Sequence, residues 1–343
     1  MTDRRDHRVS EPGPAGFPAA VVGAPAGSAL ASLASRRDLL RWAALAAGTL
    51  GAAEVLAACG AGGGGASAQQ AAAGSLRALT ANVSQLQLLS AQSEVPAGRT
   101  SFTFGLAGPT NALVDGAAPQ LWLARDQTSR AQGPFPARWL ELTAYDKTGD
   151  RSPRSELKGF YVAEVDLPDP GNWLGVAMVE VASQRAAGQG AIPVKAQVPA
   201  QVGTKARSGP SPVATSPREI AKICTREPVC PMHYISLDQA LRSGRPTVVS
   251  FSTPLLCTSR MCGPVLDEHL VVFGKLGKAR ANFIHVEIYP QRDTNKPAPL
   301  YVDWGFTAEP DSVVIDRGGI IRSRREGALA ASEIETALQP LLS

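Results

Sequence analysis

Two cysteines, Cys257 and Cys262, stand in the stretch "TPLLCTSRMCGP", with Thr258, Ser259, Arg260 and Met261 between them. Thiol–disulfide chemistry needs a thiolate, a second sulfur within bonding reach, and access for a partner. Cys262 directly precedes Gly263 and Pro264, where a helical pattern begins, with Leu266, Leu270 and Phe273 on one face. Unpaired amides at a helix start favour a negative sulfur, and a proline loses nothing there because its missing N–H would be unpaired anyway. This points to Cys262 as the attacking sulfur. Cys257 is then the resolving one, since four intervening residues can bring the two Cα atoms to about 5.5 Å. Arg260 adds a positive charge beside the thiolate.

A second pair, Cys224 and Cys230 in "ICTREPVCPMH", closes a short loop stiffened by Pro228 and Pro231. The expected role is a structural disulfide, worth roughly 2 to 2.5 kcal/mol in the chain-entropy view. Two other readings stay open: a soft Cu(I) site using Met232 and His233 as well, and a second exchange pair feeding Cys262. No metal site and no cofactor are expected. His285 alternates with Phe283 in a strand and reads as core, while His269 reads as a surface residue of the helix after Cys262. No Ser/His/Asp set or carboxylate pair has diagnostic spacing, and no glycine-rich strand-to-helix turn suits a phosphate.

The elements that must position these sulfurs follow from pattern. Buried strands are expected at "PTVVSFS" from Pro246, "NFIHVEIY" from Asn282 and "SVVID" from Ser312, with a more exposed one at "IIRSRREG" from Ile320. Helices are expected at Ser236–Gly244, after Cys262, and from Ser332. Capping-box spacing marks the starts of the first and last, Ser236 to Gln239 and Ser332 to Glu335. This order, together with the cysteine at a helix start, resembles the thioredoxin family over about residues 218 to 343. The nearest likeness is to extracytoplasmic, membrane-tethered thiol–disulfide oxidoreductases. The resemblance implies that Pro310, in "FTAEPDSVVID", is the cis-proline facing the cysteines and aligning a partner's backbone, and that Glu309 lies beside the sulfurs. A carboxylate there either raises a thiol pKa or, when protonated, shuttles a proton to the leaving sulfur. In the family pattern the second cysteine follows Gly-Pro. Here that place is taken by Val265, so Cys257 must serve instead.

Upstream, period-two alternation at Thr100–Gly108, Pro119–Arg125, Ala137–Tyr145, Gly159–Pro168 and Gly171–Ser183, broken by Gly, Pro, Asn and Asp, argues for an all-β, immunoglobulin-like sandwich. The expected fold class is therefore that sandwich followed by an α/β thioredoxin-like domain.

The first 60 residues read as an address. Arg36 and Arg37 precede the apolar run Trp42–Ala53, and "LAAC" ends at Cys59. Twin arginines before an apolar stretch resemble a twin-arginine export signal, and the Leu-Ala-Ala-Cys resembles a lipobox whose cysteine carries a diacylglycerol. An uncleaved signal anchor is the alternative. The expected layout is a signal over 1–58, a flexible tether over 59–84, the sandwich over 85–200, a linker over 201–217 and the thioredoxin-like domain over 218–343. Lipid-bearing Cys59 leaves four cysteines, an even number suited to an oxidising compartment.

The chain holds 34 Lys and Arg against 30 Asp and Glu, a net +4, and basic residues are not interleaved with aromatics, so nucleic acid is not an expected partner. The expected partners are envelope-protein thiols or disulfides, with the membrane reached through the lipid anchor; the sequence carries no sign of oligomeric state. The expected function is disulfide exchange with another envelope protein. The rival is a non-enzymatic surface lipoprotein whose disulfides are structural and whose domains form a protein-binding scaffold.

Overall fold

In the computed structural model, residues 74–143 and 157–343 are described. The twin arginines Arg36 and Arg37, Cys59, and most of the expected tether lie outside the described residues. The start of the described chain is already docked. A short helix, α1 (Leu76–Leu79), has Ser75 accepting from the Ala78 amide at its N-cap, and Leu76 is fully buried.

Eight strands follow: β1 (Ser84–Ser90), β2 (Val95–Pro96), β3 (Gly98–Ala107), β4 (Gln120–Ala124), β5 (Gln132–Glu141), β6 (Gly159–Leu167), β7 (Gly171–Val181) and β8 (Gln184–Lys195). Their order is β1-β3-β6-β5-β4-β7-β8-β2. β1 pairs antiparallel with β3 on one side, Gln87 opposite Ala107, and parallel with β8 on the other, Ser84 opposite Ala186. That second pairing closes seven strands into a mixed barrel, with the two-residue β2 lying beside β8. The immunoglobulin-like sandwich followed by an α/β domain is therefore corrected: the chain forms a closed barrel plus a second sheet, mostly β with few helices. Alternation marks which residues face inward, but it carries no information on which edges pair, and unpaired edges are costly enough that β1 satisfies both. Phe102, Phe104, Leu121, Leu123, Tyr161 and Ile192 fill the interior.

The remaining chain builds the second sheet. Its elements are α2 (Pro217–Ile220), α3 (Leu237–Arg242), β9 (Thr247–Ser252), α4 (Cys262–Arg280), β10 (Asn282–Glu287), α5 (Pro299–Trp304), β11 (Asp311–Ile315), β12 (Ile321–Glu326) and α6 (Ala331–Leu338). The sheet order is β10-β9-β11-β12; β9 and β10 are parallel, and the other pairs are antiparallel. Every residue of β9, β10 and β11 is buried, as expected of strands covered on both faces. Val249, Phe251, Ile284 and Val313 pack with α3 and α5, whereas Val248, Phe283 and Val314 pack with α4 and α6. α4 contains a non-helical residue, Gly277, at φ 67°, a conformation that glycine adopts without a Cβ penalty.

α6 begins one residue before the expected Ser332. Its N-terminal turn is held by the Glu333 carboxylate accepting from the Ala330 amide at 3.3 Å, not by a Ser332 to Glu335 box. Part of the expected linker is built into the second sheet: Lys205 bridges to Ile320, and Ala206 and Ser211 are buried.

Among the described residues, barrel and sheet belong to one compact unit. Leu142, Phe160 and Val162 of the barrel region pack against Ala328 and Ala330 beyond β12, and Met261 joins this cluster. Both the amide and the hydroxyl of Ser93 donate to Glu326 Oε1 at 2.6 Å. Gly327 sits at φ +78°, and a Cβ there would run into the Ala91 carbonyl. Among the described residues, no helix is long and apolar enough to cross a membrane.

Candidate functional site: a cysteine pair at the start of α4

The end of β9 and the start of α4 place Cys257 and Cys262 together. Both are free thiols. The Cys262 backbone amide, at the first turn of α4, donates to Cys257 Sγ at 3.3 Å. Ser259 Oγ lies 3.2 Å from the same sulfur. Arg260 takes φ 61°, which turns the chain back so that Cys257 faces the helix start. The residue after it, Met261, packs against the barrel and anchors this end of the turn.

Glu309 fastens this turn. Its carboxylate Oε1 accepts from the Thr258 amide at 3.3 Å and from the Thr258 hydroxyl at 3.2 Å, and Ser259 Oγ donates to the Glu309 carbonyl at 3.2 Å. The Glu309–Pro310 peptide bond is cis, and Pro310 leads directly into β11. The structure therefore brings Cys257, Cys262, Glu309 and Pro310 to one place.

The two sulfurs are not equivalent. Cys262 is fully buried and Cys257 is partly exposed. The hydrogen bond from the Cys262 thiol draws the Cys257 pKa down to about 6; the Ser259 hydroxyl and the Cys262 amide act in the same direction, while burial and the Glu309 charge oppose them. Burial pushes the Cys262 thiol well above its ordinary value, reinforced by the hydrogen bond to Cys257 and by the charge on Cys257. The sulfur that sequence reasoning cast as the attacker is thus the enclosed one. The sulfur cast as the resolver, Cys257, is the one that receives the first amide of the helix.

Sequence reasoning missed Ser259 and Tyr289. Ser259 is two residues after Cys257, close enough for a local hydroxyl contact, and that spacing was its one available signal. Tyr289 follows β10; burial raises its pKa, and the charges of Glu309, Cys262 and Cys257 add to the shift. No sequence spacing brings it here.

The other pair departs from expectation. Cys224 and Cys230 are free, with sulfurs 3.9 Å apart, whereas a disulfide bond is about 2.05 Å. The structural bridge is not formed in this structure. Nor does the loop stand alone. His233 and His285 join the two sulfurs, with one ligand-type atom from each of the four residues lying within 4.8 Å of the others. The expectation of no metal site is corrected to that extent: the described residues contain a four-membered cluster of metal-ligating types. His269 is buried in α4, not on its surface; its Nδ1 donates to the Val265 carbonyl at 2.8 Å, and burial lowers its pKa to about 4.

No protein-family model and no curated protein matches the chain. Among solved structures, it is similar to a thiol:disulfide interchange protein of the thioredoxin family from Chlorobium tepidum TLS. That likeness is at 17% identity over 41% of this chain and all of that one, with a TM-score of 0.24. It is also similar to titin domain M7, at 15% identity over 33% of this chain and 95% of that one, TM-score 0.17. Titin M4 follows at 11% identity over 32% and 93%, TM-score 0.16. Likenesses this faint define neither fold nor activity, and the chemistry must be argued from the cysteine geometry.

Proposed function

We propose that this chain exchanges disulfides with a thiol-bearing partner protein of the cell envelope. The observation that carries the reading is the asymmetry of the pair: a partly exposed Cys257 whose sulfur receives the first amide of α4 at 3.3 Å, backed by a buried Cys262. The Cys257 thiolate attacks a partner disulfide. A Cys257–partner disulfide forms, the partner's S–S bond breaks, and its second sulfur leaves as a thiolate. Cys262 then gives up its proton and attacks Cys257. A Cys257–Cys262 disulfide forms and the partner's remaining sulfur departs; two electrons have passed to the partner, and the released thiolates take up protons. The reverse sequence oxidises a partner dithiol.

A thiol near pKa 6 suits both attack and departure at neutral pH, because nucleophilicity and leaving ability trade off around ambient pH. Pro310 and the strand it opens lie beside the pair and would align an extended partner segment. The envelope setting rests on Arg36, Arg37 and Cys59, read as an export signal and lipid anchor.

The test is a Cys262→Ser variant of the full chain in cells. It should accumulate mixed disulfides through Cys257, visible as reductant-sensitive adducts, while Cys257→Ser should accumulate none. If neither variant traps a partner and Cys257 stays inert to alkylation, the scaffold reading takes its place.

A further inference from the structure

The loop from Cys224 to His233 and strand β10 bring together two sulfurs and two imidazoles that the exchange reaction does not use. All four residues are buried. We propose that Cys224, Cys230, His233 and His285 form a closed, four-coordinate Zn2+ site that pins this loop to the second sheet.

The spacing of three of the four ligand atoms fits a tetrahedral ion, and the fourth, on His233, lies within 4.8 Å of the others. With Zn–S near 2.3 Å and Zn–N near 2.05 Å, tetrahedral angles require sulfurs about 3.8 Å apart and sulfur–nitrogen distances of about 3.5 Å. The sulfurs here are 3.9 Å apart, and His285 Nδ1 lies 3.7 Å from Cys224 Sγ and 3.3 Å from Cys230 Sγ.

The tautomer is also set. His285 Nε2 is 3.1 Å from the Ser252 carbonyl, which can only accept, so Nε2 carries the proton and the Nδ1 lone pair faces the sulfurs. A ligating histidine commonly has its other nitrogen held by a carbonyl in this way. His233 supplies an independent sign. It is 2% exposed, and beyond the Cys224 sulfur neither ring nitrogen has a hydrogen-bond partner. A buried imidazole left in that state is costly unless something takes its lone pair.

Charge selects the ion. Two thiolates and two neutral imidazoles balance a divalent cation, leaving a neutral buried centre. A Cu(I) ion would leave one uncompensated negative charge, which burial penalises. With four protein ligands and no open position, the site is structural, not catalytic. Loading releases the two thiol protons. The surroundings brace the ligands: Thr225, next to Cys224, donates from its amide and hydroxyl to Glu287 on β10 at 2.8 and 2.7 Å. The proposal stands independently of the Cys257–Cys262 pair.

The experiment uses the full chain purified under reducing conditions without chelator. Metal analysis should give about one Zn2+ per chain, and Zn2+ affinity should be read by competition against a chromophoric chelator. Cys257→Ser/Cys262→Ser should retain the zinc. Cys224→Ser and His233→Gln should each weaken it by more than the ~10- to 100-fold typical of losing an outer-shell partner. Since Cys224→Ser could fold poorly, the wild-type chain loaded with Co2+ provides a second reading: thiolate-to-metal charge transfer with intense tetrahedral d–d bands is expected. Copper in place of zinc, a Co2+ spectrum without thiolate charge transfer, zinc retained by both ligand variants, or a Cys224–Cys230 disulfide with no metal would each overturn the proposal.

Discussion

Three donors favour the Cys257 thiolate against burial and one opposing charge. The Cys262 thiol, the Ser259 hydroxyl and the Cys262 amide stabilise its thiolate, while Glu309 disfavours it. Ser259→Ala should therefore raise the Cys257 pKa and slow its labelling near pH 6. Glu309→Gln keeps an amide oxygen for Thr258 but removes the charge, so labelling at pH 5 should become several-fold faster. Iodoacetamide kinetics with site assignment by mass spectrometry check both.

The sign for stability follows from the lowered pKa. A thiolate favoured by the fold contributes stability that is fully present above the unfolded value near 9 and is lost as pH falls through about 6. The cysteine pair was legible at this scale because four residues, Cys257, Cys262, Gly263 and Pro264, sit in a fixed register. Which of the two sulfurs is enclosed was not legible, because burial depends on how the turn at Arg260 folds back.

At the scale of elements, β11 and β12 hold the cis Pro310 end of the site against the barrel. Asp311, immediately after Pro310, is fully buried and receives Arg324 in a two-pronged contact, Nε at 2.7 Å and Nη2 at 3.1 Å. Burial pushes the Asp311 carboxyl up to about 7, and Arg324 pulls against that shift. Removing one partner of a buried pair leaves an uncompensated polar group, so Arg324→Met should destabilise the chain by about 3–5 kcal/mol in urea unfolding.

The strands of the second sheet were readable because β9, β10 and β11 are unbroken apolar-rich runs of the right length, and the observed bounds lie within a few residues of those expected. The metal-type cluster was only half readable. Cys224, Cys230 and His233 are close in sequence, but His285 is 52 residues beyond His233 and arrives through the parallel pairing of β10 with β9. Nothing in its own strand separates it from a packed core histidine.

At the scale of the whole molecule, the barrel is more than a spacer for the site. Phe160 and Val162 on β6 share a buried cluster with Met261, the residue before Cys262. Gly327 lets β12 approach Ala91 where no side chain fits, so Gly327→Val should separate barrel from sheet and speed proteolysis between them. Because the turn is braced through Met261, the same variant should also blunt the difference in labelling between Cys257 and Cys262.

Closure of the barrel was beyond sequence reasoning for a physical reason. The parallel pairing of β1 with β8 joins residues about 100 positions apart, and period-two alternation is the same in an open sheet and a closed one. On the reading of residues 1–58 as a lipoprotein signal and Cys59 as the lipid-bearing residue, Cys59→Ser should move the protein from the membrane pellet to the soluble fraction, as immunoblotting of fractionated cells would show.

The most direct measurement is the pH dependence of alkylation at each sulfur of the reduced wild-type chain. Cys257 should label with a midpoint near pH 6, while Cys262 remains protected until well into the alkaline range. Labelling of Cys262 first, or a Cys257 midpoint near the ordinary thiol value of about 9, would contradict the assignment of Cys257 as the attacking sulfur.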